Sequence, residues 1–98
     1  MKERINKNEE RLDKVLESVE ELEKALEKFK ENHKNFELLN KYYGSKNWFK
    51  DKESYEQGEI FGIKAGVLSE DAVWNLDERV AELVSEMEKI INKIKGKK

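Results

Sequence analysis

Apolar residues fall at positions 5, 12, 15, 19, 22, 26, 29 and 36, in alternating steps of three and four that also pass through positions 8 and 33. The ten positions read Ile5, Asn8, Leu12, Val15, Val19, Leu22, Leu26, Phe29, His33 and Phe36. This is the 3.5-residue repeat of a coiled-coil seam, sustained over more than four heptads. Leu16 and Ala25 widen it, and Glu and Lys occupy the other faces, with favourable four-residue steps at Glu3–Lys7, Glu10–Lys14 and Glu20–Lys24. With no proline in the chain and no glycine before Gly44, the pattern predicts one long helix over about 3–43. A bend is expected near Asn32 and His33, where the pattern weakens, and Gly44 is placed to end the helix in the left-handed conformation. A second heptad run, Val73, Leu76, Val80, Leu83, Met87, Ile90 and Ile94, is apolar at every position and is broadened by Val84 and Ile91. It predicts a helix over about 69–95, with Ser69 as its cap, Glu70 and Asp71 in its first turn, and lysines at 89, 93, 95, 97 and 98 suiting its dipole.

Between these arms, residues 44–68 hold Gly44, Gly58, Gly62 and Gly66, and aromatics cluster from Tyr42 to Phe61. Ser45 is placed to cap a short helix through Trp48 and Asp51, and glycine turns are expected beyond Tyr55. A flexible linker would not carry so many rings, so the segment reads as a structured connector. The expected architecture is a single all-α domain over 1–98, an antiparallel long-helix hairpin of coiled-coil type or small bundle. Residues 70–95 are set against roughly 17–43, and Ile5, Leu12 and Val15 project beyond the shorter arm. Such unpaired heptads favour association with another chain, and a homodimer is expected.

Composition narrows the chemistry. In 98 residues, 43% are charged and 37% hydrophobic, which suits elongated helices better than a sandwich or barrel. No cysteine is present, so there is neither a disulfide framework nor a thiolate metal site. Apolar runs are far shorter than the ~20 residues of a membrane span, and no signal peptide is read, so the expected setting is cytoplasmic and free of membrane. The net charge of −2 conceals blocks: +2 over 1–8, −5 over 9–27, +4 over 28–52, −8 over 53–88 and +5 over 89–98. A uniformly basic nucleic-acid binder is not described by this pattern.

Candidate catalytic groups fare poorly. His33, the only histidine, lacks a second imidazole and has no acidic residue at 29 or 30, so a register-setting role in the seam explains it better than a metal or a base. Helical pyrophosphatases hold magnesium with Glu-x-x-Glu on one helix and Glu-x-x-Asp on the next. Glu17, Glu20 and Glu23 supply the first half, but Trp48, Leu68 and Trp74 stand where the second requires glutamate. Ser45 and Ser69 sit in no nucleophile elbow, and the glycines form no phosphate loop. No enzyme activity, metal or cofactor is expected.

Tyr42-Tyr43-Gly44-Ser45 followed by Trp48 and Asp51, and then Gly66-Val67-Leu68-Ser69-Glu70-Asp71, resemble a small bacterial domain family of unknown function. Its members carry YYGS-x-x-W-x-x-D and GVLSED stretches between two helical arms. The chain departs from it at Glu59-Ile60-Phe61-Gly62, where members carry a proline. The resemblance implies a fold type and a bacterial or phage origin, and no reaction.

The leading functional expectation is a non-enzymatic helical module that binds another protein. Two surfaces are candidates. Glu78, Glu82 and Glu86 form a row four residues apart that stability alone does not favour, suited to a basic groove. Tyr42, Tyr43 and Trp48 with Lys46 and Lys50 interleave rings with charge. That is the surface of a single-strand binder, unless the rings, with Phe61 and Trp74, form a mini-core sealing the hairpin. The absence of arginine there favours the mini-core. The alternative function is a phage or mobile-element inhibitor of anti-CRISPR type, its acidic stretch meeting the basic channel of a nucleic-acid enzyme.

Overall fold

The computed structural model describes residues 1–96, and Lys97 and Lys98, expected in the basic end of the last helix, lie outside them. The described residues are all-α: α1 (Lys2–Tyr42), α2 (Lys46–Glu56), a single 3₁₀ turn (Gly66–Leu68) and α3 (Ala72–Gly96), with no strand among them. The chain divides into two units, Met1–Glu37 and the residues from Leu38 onward.

The first unit is helix alone. It fully buries no residue, and its seam side chains from Ile5 to His33 are exposed, Leu22 at 64% and Phe29 at 50%, while Phe36 is half-buried. The helix is continuous through Asn32 and His33, where the seam pattern weakens. Asn32 donates a side-chain hydrogen bond to the Lys28 carbonyl (3.1 Å), one turn back, and the main-chain ladder continues past it.

The second unit contains what core there is: Trp48, Leu68 and Val73 are buried. Gly44 terminates α1 with φ +77°, a conformation cheap only for glycine, while the Ser45 amide reaches back to the Tyr42 carbonyl (2.9 Å). Ser45 then caps α2 as expected, its Oγ accepting from the Trp48 amide (3.2 Å). The short helix runs through Trp48 and Asp51 to Glu56, and beyond Tyr55 come the expected turns, with Gly58 and Gly62 at positive φ. The chain reverses here. Asn40 near the end of α1 donates to Asp77 on α3 (3.0 Å), and Tyr43 donates to the Glu70 carbonyl just ahead of α3.

Two expectations are corrected in this unit. The third helix starts at Ala72, with the Asn75 amide donating to the Asp71 carbonyl (2.8 Å), so Ser69 does not cap it. Ser69 instead closes the 3₁₀ turn, its amide bonding to Gly66 and its hydroxyl accepting from the Asp71 amide. The reason is burial: the extra turn drives Leu68 into the core, which a helix begun at residue 69 would leave outside. Trp74 and Phe61, expected in the mini-core, are exposed at 59% and 84%. Val73 takes the inward place on α3, and Trp74 lies ~100° further round the helix, facing away. Beyond Val80, which is half-buried, the α3 seam opens to solvent, with Leu83 at 60% and Ile94 at 61% exposed.

Candidate functional site

Trp48 is the hinge pin of the connector. Its indole Nε1 donates to the Val67 carbonyl (2.9 Å), and its ring meets Tyr43 and Phe49 edge-on, with centroids 5.2 and 4.9 Å away. The Lys52 ammonium lies 5.1 Å above the indole and pairs with the Glu70 carboxylate at 2.9 Å. That pairing holds the Glu70 carboxyl below its ordinary range and raises the Lys52 ammonium, partial burial of the lysine opposing the latter. On the other side Tyr42 donates to the Asp51 carboxylate at 2.6 Å. The hydrogen bond, with some burial and the nearby negative charge, pushes the phenol up to about 12.

These bonds join residues 9 to 27 apart in sequence: Tyr42 to Asp51, Trp48 to Val67, Lys52 to Glu70, Tyr43 to Glu70. The residues that carry the resemblance therefore hold one another, and their chemistry is that of a clasp. Trp48, at 4% exposure, has no open face on which a nucleobase could stack. Tyr42 and Tyr43 are half-buried with their hydroxyls engaged. Lys46 and Lys50 are exposed instead around Phe49, a ring outside the candidate set, in a shallow depression shared with Glu53. One ring beside one carboxylate is a poor strand track.

The acidic row on α3 is exposed, but two of its members have local partners. Glu78 accepts from the Trp74 indole at 3.1 Å, and Glu86 lies 3.4 Å from Lys89. Both contacts lie on the surface and contribute little to stability. The larger feature beside this row is the apolar stripe Leu83, Val84, Met87, Ile90, Ile91 and Ile94, all exposed. At its base Leu39, Val67, Val73 and Leu76 line an open depression of about 410 Å³. Among the described residues no group of three His, Asp or Glu side chains comes together where a metal ion could be held. No described helix is long and apolar enough to cross a membrane.

The fold and this geometry define a class: an all-α chain with a hydrogen-bonded aromatic clasp and two apolar helical stripes left open. The chain belongs to the family described as Domain of unknown function (DUF4298), whose model matches residues 5–95. No curated protein matches it, and no solved structure does.

Proposed function

We propose that the protein is a non-enzymatic helical interaction module, in which the clasp is structural and the open stripes bind other protein helices. One observation carries the reading: six large apolar side chains of α3 lie exposed along a single face. Contiguous apolar surface of this kind marks interaction sites, since leaving it in water forgoes ~25 cal/mol for each Å² that could be buried. Glu78, Glu82 and Glu86 run along the same helix, so the complementary partner for α3 is an amphipathic helix with basic flanks, recruited faster at low salt. Such a partner includes the basic surface of a nucleic-acid enzyme, which keeps an inhibitory role within this reading.

The test is affinity capture from the native host, comparing the wild-type chain with a Leu83→Asp/Ile90→Asp variant. Both positions are exposed, so the variant should keep the clasp, as checked by the near-ultraviolet signal of Trp48. A protein retained by the wild type and lost by the variant supports the reading. Identical retained proteins, or turnover of a small substrate by the purified chain, would overturn it.

A further inference from the structure

From Ile5 to His33 the α1 stripe is exposed in its own unit, and its sequence says what fits it. Read from either end, the ten seam positions give the same order: one apolar residue, one polar, six apolar, one polar, one apolar. The polar residues are Asn8 and His33, and both are held only by neighbours on their own helix. Asn8 donates to the Arg4 carbonyl at 2.8 Å, and His33 lies 3.6 Å from Glu37. A seam with this palindromic order is self-complementary in the antiparallel sense, which is the requirement of an isologous two-fold interface.

We propose that α1 is a homodimerisation helix: residues 5–36 pair antiparallel with the same residues of a second copy, about a two-fold axis between Val19 and Leu22. The inference rests on the interaction-module reading and supplies the occupant of the α1 stripe. In this register Asn8 stands level with the second copy's His33, Leu12 with its Phe29, and Val15 with its Leu26. Every layer then joins like with like. An amide facing an imidazole gives each a hydrogen-bonding partner inside the seam, and a polar layer of this type sets register and orientation. The seam from Ile5 to Phe36 spans ~46 Å at 1.5 Å per residue.

Among antiparallel registers, the charges beside the seam select the same one. Antiparallel helices bring their e positions together, and here Glu9 meets the second copy's Lys30, twice by symmetry. Sliding one heptad in one direction sets Glu23 against Glu23 and buries His33 against Val15. Sliding one heptad the other way sets Glu9 against Glu23 and Asn8 against Leu26. A parallel in-register pair sets Arg4 against the second copy's Glu9 and Asn8 and His33 each against its own copy, while Arg11 meets Leu16, Ser18 meets Glu23, Ala25 meets Lys30 and Asn32 meets Glu37. Among the antiparallel registers the proposed one alone matches both polar layers and the flanking charges, and the pattern of disulfides below separates it from the parallel pair.

The chain has no native cysteine, so single cysteines report the pairing directly. Asn8→Cys and His33→Cys variants of the full chain would be purified, mixed and oxidised, and the wild type sedimented from about 1 to about 100 µM. The expected result is a dimer by sedimentation, with disulfides that join one variant to the other in excess over those that join two copies of the same variant. A Val19→Asp variant should be monomeric with its near-ultraviolet spectrum unchanged, because Val19 is exposed in its own chain. A wild-type monomer throughout that range, or predominance of disulfides within each variant, would overturn the proposal. A monomer that still captures a partner through Leu83 and Ile90 would refute the dimer and leave the interaction-module reading standing.

Discussion

Replacing Trp48 by alanine removes the one aromatic side chain that the connector buries. At 4% exposure the indole lies in the class for which truncation costs ~3–5 kcal/mol, the transfer term plus the cavity left behind. The lost bond to the Val67 carbonyl falls within that range at ~1 kcal/mol, and the edge contacts to Tyr43 and Phe49 within ~0.5–1.5 kcal/mol each. A central value of ~4 kcal/mol is a large part of the ~5–10 kcal/mol that a chain of this size holds in reserve. It corresponds to a fall in melting temperature of at least ~15 °C. Urea unfolding followed by near-ultraviolet circular dichroism, with hydrogen exchange of the α2 amides, reads the effect where it arises. Trp48→Phe should recover about half of the loss, keeping a ring without its donor. A loss below ~1 kcal/mol for Trp48→Ala would refute the clasp. If salt-sensitive binding to single strands vanished at the same time, the aromatic surface would be the functional one after all.

Three further outcomes follow from the same geometry. Gly44→Ala should destabilise by ~1–2 kcal/mol in thermal melts through backbone strain alone, since nothing lies within 4 Å of the added methyl. The Tyr42 phenol is raised from 10.0 to about 12 in the fold, so its contribution is complete below pH 10 and is lost as pH rises toward 12. The raised Lys52 ammonium loses its contribution in the same direction, whereas the lowered Glu70 carboxyl loses its own in acid. Tyr42→Phe should flatten part of the alkaline fall in a pH series of urea midpoints, by ~1 kcal/mol after allowance for solvent screening. Charge reversal of Glu78, Glu82 and Glu86 to lysine should leave far-ultraviolet circular dichroism unchanged and slow association with a basic partner at least ~10-fold at low salt.

Both arms could be read from the chain because a heptad seam is a local signal. Val15, Val19, Leu22 and Leu26 announce a helix whatever lies opposite them, and Ser45 and Gly44 carry their instructions in their own chemistry. The clasp was legible only in outline. Tyr42 to Asp51 and Lys52 to Glu70 join residues 9 and 18 apart through an irregular loop, and no periodicity encodes those distances. The choice between Trp48 and Trp74 turns on rotational phase: Val73 points inward, and its neighbour therefore cannot. The start of α3 was misplaced for a related reason, because Ser69-Glu70-Asp71 satisfies the rules for a helix cap while Leu68 demands one more tight turn for its burial. Of the candidate surface residues, Lys46, Lys50, Glu78, Glu82 and Glu86 are exposed and Trp48 is not. Alternating charge and aromatic content cannot distinguish a ring that faces water from one that faces a leucine.

Hydroxyl-radical footprinting of the full chain, free and then bound to whatever protein it captures, a second copy included, tests the central claim most directly. Binding through the open stripes predicts that Leu22 and Phe29 on α1, or Met87, Ile90 and Ile94 on α3, lose reactivity on complex formation. Trp48 should be unreactive in both states. Stripes that stay fully reactive in a formed complex, with protection confined to Lys46, Phe49 and Lys50, would contradict the account.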